Sequence, residues 1–267
     1  MKKFNFVFCM LVLFVVSCES SSYSQFGFVP QFSSTGLSER IALYQASDGS
    51  ESKEALFNSL KVILRGYKDS FANAKIKFKN VNHKLKIPSE QLQKYLNEYP
   101  NRYGDERMKE YLNKYVSRPY KIQEDYVYAG INYDESVIER LNVIMDKLNV
   151  NSLSNDSENV VFGLLSNLCN SVMLLESIID KALSNDNFAQ TKQKSEIGQL
   201  CWLIDDFLKS RDRFVLNLRD KLLSMNVLAG SQFIMSELKR FFSKDGELTA
   251  MVKHLLDKAY ILQDLMK

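Results

Sequence analysis

Three kinds of side chain in this 267-residue chain could do chemistry: four cysteines, two histidines and several carboxylate pairs. A cysteine thiolate is a nucleophile and a metal ligand. The histidines, His83 and His254, stand in separate segments, and neither has a His, Cys or carboxylate at metal-ligand spacing. Asp205/Asp206 and Asp134/Glu135 could share acid–base work. On helices, however, such pairs read as a solvated face or a cap. No serine or cysteine sits in a nucleophile elbow. No Gly-rich phosphate loop or dinucleotide fingerprint occurs. The expectation is a chain with no catalytic residues, no metal site and no cofactor.

Cys18 is the cysteine with a context. It closes the string Val15-Val16-Ser17-Cys18, after two lysines (Lys2, Lys3) and an apolar stretch from Phe6 to Val16. A positive start, an apolar run and a small residue before the cut are the parts of a secretory signal. The run is shorter than the ~20 apolar residues that span a bilayer. The cysteine after the small residue makes the signal resemble a bacterial lipobox. That resemblance implies cleavage before Cys18, a diacylglycerol on its sulfur and an acyl chain on its new amine. Residues 1–17 are then a signal peptide, and the membrane is a partner through the N-terminal lipid.

Removing residues 1–17 takes away Lys2 and Lys3 and no acid, so the formal charge falls from +3 to +1. That is no footprint for nucleic acid, which calls for a clearly basic domain. Of the other cysteines, Cys9 leaves with the signal. Cys169 and Cys201 lie on apolar helix faces. An exported chain can oxidise such a pair, but buried free cysteine is common; both readings stand. Ten glycines and four prolines are few for this length, which favours long helices over sheet.

The elements that position these residues follow from periodicity. Residues 18–50 read as a flexible tether, rich in serine and broken by Gly27, Pro30 and Gly36. At up to ~3.3 Å per residue it could hold a domain well off a bilayer. Residues 51–267 read as one all-helical bundle of about seven to nine helices with no strand. Leu56, Leu60, Ile63, Tyr67, Phe71 and Ala74 make the stripe of a first helix, closed at Pro88. Shorter helices are expected over Gln91–Tyr99, Asp105–Tyr115 and Tyr120–Gly130. Asn132 and Glu135 have the spacing of a capping box, as do Asn155 and Glu158 before the apolar helix Val160–Leu183. Residues 195–225 carry the clearest stripe, from Ile197 through Phe207 and Phe214 to Leu222. The charged residues Arg211, Asp212, Arg213, Arg219 and Asp220 are expected mostly on its other faces. Breaks at Ala229-Gly230 and Lys244-Asp245-Gly246 set off two further helices.

Two features suit recognition. Tyr95, Tyr99, Tyr103, Tyr111 and Tyr115 belong to a run of tyrosines between residues 95 and 133. Tyrosine offers a large ring, a polar tip and little entropy to lose, so these five are candidate partner-binding residues. Their helical spacing also fits plain packing. Lysines over residues 75–94 could meet a sulfated polysaccharide or simply form a solvated face.

Finally, Glu124-Asp-Tyr-Val-Tyr-Ala-Gly-Ile-Asn-Tyr-Asp134, the helix motif Ile138-Glu-Arg-Leu141-Asn-Val-Ile144, and Phe207-Leu-Lys-Ser-Arg-Asp-Arg-Phe-Val-Leu216 together resemble a signature of Borrelia surface lipoproteins. The family is the paralogous virulent strain associated lipoprotein group that includes complement regulator-acquiring surface protein 1. The resemblance covers roughly residues 50–267. It implies an all-helical, lipid-anchored domain on the outer membrane surface, binding a host or tick protein for immune evasion. Candidate partners are factor H, another complement component or plasminogen, and a long C-terminal helix can mediate a homodimer. The alternatives are a colonisation protein acting by self-association or glycosaminoglycan binding, and a periplasmic helper.

Overall fold

The computed structural model describes residues 52–79, 85, 106–116, 124–148, 155–185 and 187–267. Its described residues hold nine helices and no strand. They are α1 (Lys53–Lys79), α2 (Glu106–Tyr115), α3 (Glu124–Gly130), α4 (Glu135–Leu148), α5 (Asn155–Ser184), the single turn α6 (Phe188–Thr191), α7 (Lys194–Ser224), α8 (Ser231–Phe242) and α9 (Glu247–Leu265). All belong to one unit, an all-α bundle.

The apolar helix α5 is the axis. Leu164, Leu165, Leu168, Val172, Leu174, Leu175 and Ile178 are buried along it, and α1, α2, α3, α8 and α9 all pack on it. This helix has the length and hydropathy of a membrane span, but its burial inside the bundle accounts for that composition. Two glycines set close approaches. A Cβ on Gly130 would lie 2.8 Å from the Cβ of Leu168, and one on Gly163 would lie 2.2 Å from the carbonyl oxygen of Phe242. Only glycine lets α3 and α8 pack that close to α5.

A second layer is built around α7. Tyr67 on α1 meets Asp212 while Lys53 meets the carbonyl of Lys192, so α1 runs parallel to α7. Lys258 on α9 meets Asp206 and Ser210, and Lys221 meets Glu247, so α9 runs antiparallel to α7. The expected α7 stripe is buried throughout, from Ile197 to Leu222.

Three local expectations need correction. Asn132 does not cap α4. Asp134 does, its Oδ1 accepting from the backbone N–H of Ser136 at 3.0 Å and of Val137 at 3.3 Å. Asn132 and Tyr133 instead form a left-handed turn, with φ of 54° and 57°. α5 runs from Asn155 itself, so Asn155 lies within the helix rather than ahead of it. Arg211 is not on an outer face of α7; it is fully buried. The expected helix over Gln91–Tyr99 and the expected continuation of the first helix toward Pro88 fall outside the described residues, apart from Leu85, which is not helical. So do Cys18 and the tether.

Candidate interaction face and the buried polar clusters

α2 brings the two described members of the candidate tyrosine set together. Tyr111 and Tyr115 are one helical turn apart, with ring centroids 4.9 Å from each other. The fold adds Tyr260 from α9, edge-on to Tyr111 at 5.0 Å and to Tyr115 at 6.2 Å. Tyr95, Tyr99 and Tyr103 lie outside the described residues.

The two α2 tyrosines have different fates. Tyr111 is fully buried. Its hydroxyl pairs with Ser177 Oγ at 2.8 Å and accepts from Gln263 Nε2 at 3.3 Å. Burial pushes its pKa up to about 12. A residue with no surface cannot touch a partner, so Tyr111 is a packing residue and not a contact. Tyr115 and Tyr260 are half-buried. Lys114 Nζ stands 5.1 Å from the Tyr115 ring and the Arg107 guanidinium 5.8 Å from the Tyr260 ring. The Tyr260 hydroxyl donates to the carbonyl of Arg107 at 2.9 Å, and Arg107 pairs with Asp257 at 2.6 Å. At the end of α9, a hydrogen bond from Lys267 holds the Asp264 carboxyl below the usual carboxylate range. The result is a surface of two aromatic rings framed by alternating charges. Sequence spacing could not have found Tyr260, which is far from α2 in the chain.

The other described tyrosines of the run serve the core. Tyr126 donates to Glu176 at 2.8 Å, Tyr133 to Asp125 at 3.2 Å, and the Tyr128 hydroxyl accepts from the backbone N–H of Leu85 at 3.0 Å. Their rings are buried and their tips are tied, the usual solution for a buried phenol.

The second polar cluster centres on Arg211. Nη1 donates to Asn132 Oδ1 at 2.7 Å and Nη2 to the carbonyl of Ala129 at 3.0 Å. The guanidinium lies 5.0 Å from the Phe71 ring centroid. Asp212 is 3.7 Å from Nη1 and accepts both ways from the Tyr67 hydroxyl, at 2.7 and 2.8 Å. Nε of Arg211 has no hydrogen-bond partner. Burial lowers the Arg211 pKa and raises those of Asp212 and Tyr67. Sequence did hold a signal for this: Arg211 stands four residues after Phe207 and four before Val215, on the apolar stripe.

The sequence candidates for chemistry are dispersed. Asp205 pairs with Lys209 at 2.8 Å, and Asp206 with Lys258. Cys169 on α5 and Cys201 on α7 are both buried and are not joined in a disulfide. His254 is exposed on α9. Among the described residues no group of His, Cys, Asp or Glu could hold a metal ion. No family model, curated protein or solved structure matches this chain.

Proposed function

We propose that the chain is an outer-surface lipoprotein that binds a host or vector protein by surface complementarity. The observation that carries this reading is Cys18 at the end of Val15-Val16-Ser17-Cys18, ahead of a serine-rich stretch. The helical body supports it: the described core spends its polar groups on holding helices together, and Asp205 and Asp206 serve separate lysines. The α2–α9 surface supplies amphipathic rings with little rotamer freedom to lose, Tyr115 and Tyr260, between Arg107 and Lys114. By the motif resemblance, the partner is a complement regulator of the factor H type or another complement component, and binding serves immune evasion.

Changing Cys18 to Ser should move the protein from cells to the medium, with unchanged helicity. Protease added to intact cells should remove the wild-type protein. If the Cys18→Ser protein stays cell-bound at wild-type levels, the anchor reading fails. For the partner, immobilised chain is tested against purified factor H and terminal complement components. Binding weakened by Tyr260→Ala and Arg107→Ala places the contact on α2–α9; binding unchanged by both removes this surface from the account.

A further inference from the structure

The outer flank of the α1–α7–α9 layer carries three large apolar side chains on neighbouring helices. Val62 is 64% exposed, Trp202 51% and Ile261 50%. Their levels follow from the register. Tyr67 meets Asp212 along parallel helices, so Val62 stands near residue 207. Lys258 meets Asp206 and Ser210 along antiparallel helices, so Ile261 stands between residues 203 and 207. Along the helix axes both levels lie within about one and a half turns of Trp202, roughly 8 Å of rise. Exposed Arg65 follows Val62 by one turn, and exposed Arg213 shares the outer stripe of Trp202. Asp206 on this flank is neutralised by Lys258.

The flank also lies toward the end where the chain enters the bundle. Lys53, the first residue of α1, donates to the carbonyls of Gln190 at 3.4 Å and Lys192 at 3.3 Å, just before α7 begins. All 51 residues before Ser52, Cys18 among them, are therefore joined to the end of the layer nearest Trp202. Indole prefers the headgroup region of a bilayer, where its ring is shielded and its N–H stays wet. Arginine supplies forked donors for lipid phosphate.

We propose that this flank is a lipid-contact face. Val62, Trp202 and Ile261 seat at the headgroup–acyl boundary of the membrane that holds the anchor, with Arg65 and Arg213 on lipid phosphates. The proposal rests on the reading of Cys18 as the lipidated residue.

The chain has one tryptophan, so its fluorescence reports this face alone. The acylated full chain is placed in phosphatidylcholine–phosphatidylglycerol vesicles with brominated acyl chains and compared with unbrominated ones. An indole seated at the boundary, about 5–10 Å deep, should lose about half of its emission to bromine. The double variant Val62→Ser/Ile261→Ser, at surface positions that leave the fold intact, should recover most of it. Protein that floats with the vesicles but is not quenched overturns the lipid-contact face and leaves the anchor standing. A double variant quenched as strongly as wild type also overturns it. Protein that does not float overturns anchor and face together. Shielding of Trp202 from acrylamide that grows with protein concentration, without lipid, overturns the face in favour of a second copy of the chain.

Discussion

The bundle buries polar groups around Tyr111 and around Arg211, and the two places behave differently. Around Tyr111 every group is neutral and has a second partner. Ser177 Oγ also donates to the carbonyl of Leu174 at 2.7 Å, and Gln263 also donates to the carbonyl of Ser177 at 3.3 Å. Around Arg211 one cation reaches three acceptors, of which the carbonyl of Ala129 also accepts from the Asn132 N–H at 3.0 Å and Asp212 from the Tyr67 hydroxyl. Asn132 lies in the turn that leads from α3 to α4 and Ala129 in the last turn of α3, and both accept from Arg211 of α7. That turn holds Tyr133 in the left-handed region, which costs about 1–3 kcal/mol for a residue other than glycine. A buried charge is expensive to keep and more expensive to orphan. The neutral cluster therefore fills space, while the charged one fixes which helix meets which turn.

Four substitutions test that contrast. The largest effect is expected from Arg211→Met. It removes the donor to the Asn132 amide oxygen, one of two donors to the Ala129 carbonyl and the cation beside Asp212, and should cost about 3–5 kcal/mol in urea unfolding. A loss below about 1 kcal/mol would mean that the cation is not the organiser. Next comes Asp134→Ala, which removes the cap of α4 and the 2.9 Å pair with Arg219. About 1–2 kcal/mol should be lost, with hydrogen exchange rising first in the initial turn of α4.

Tyr111→Phe should cost only about 1 kcal/mol, because its neighbours keep other partners. It carries a pH signature as well. The folded-state pKa of Tyr111 is raised from 10.0 to about 12. A raised value means stability that is present below the unfolded pKa and is lost as pH rises through the folded one. Wild-type stability should therefore fall between pH 10 and 12, and the Tyr111→Phe protein should fall less steeply. Equal slopes would remove Tyr111 from the alkaline transition. The smallest effect is expected from Arg107→Ala. Its pair with Asp257 is exposed, so unfolding should change by less than about 1 kcal/mol while partner binding falls.

Legibility followed the periodicity. The helical class, the α7 stripe and the break at Gly230 can be read from spacing, because a helix buries every third or fourth residue whatever it packs on. The single turn α6 could not be read, since four residues are too few to show a period. Arg211 was hidden by its own chemistry: its position follows the stripe, but a charged side chain argues for water. Asn132 reads as a cap in the sequence because its side-chain oxygen suits either role, and only α7 decides which N–H it meets. For the candidate face, sequence proposed Tyr111 and Tyr115 on equal terms. Burial separated them, and α9 supplied Tyr260.

By itself, the amino-acid order determined an all-helical body and the approximate places of its main helices. These depend on neighbours a few residues apart, where backbone geometry is the same in any fold. Tertiary structure alone decided which tyrosine keeps a surface, which arginine loses it, and which apolar residues of α1, α7 and α9 share one flank. Those outcomes depend on how helices far apart in sequence meet, and desolvation, not local spacing, sets them.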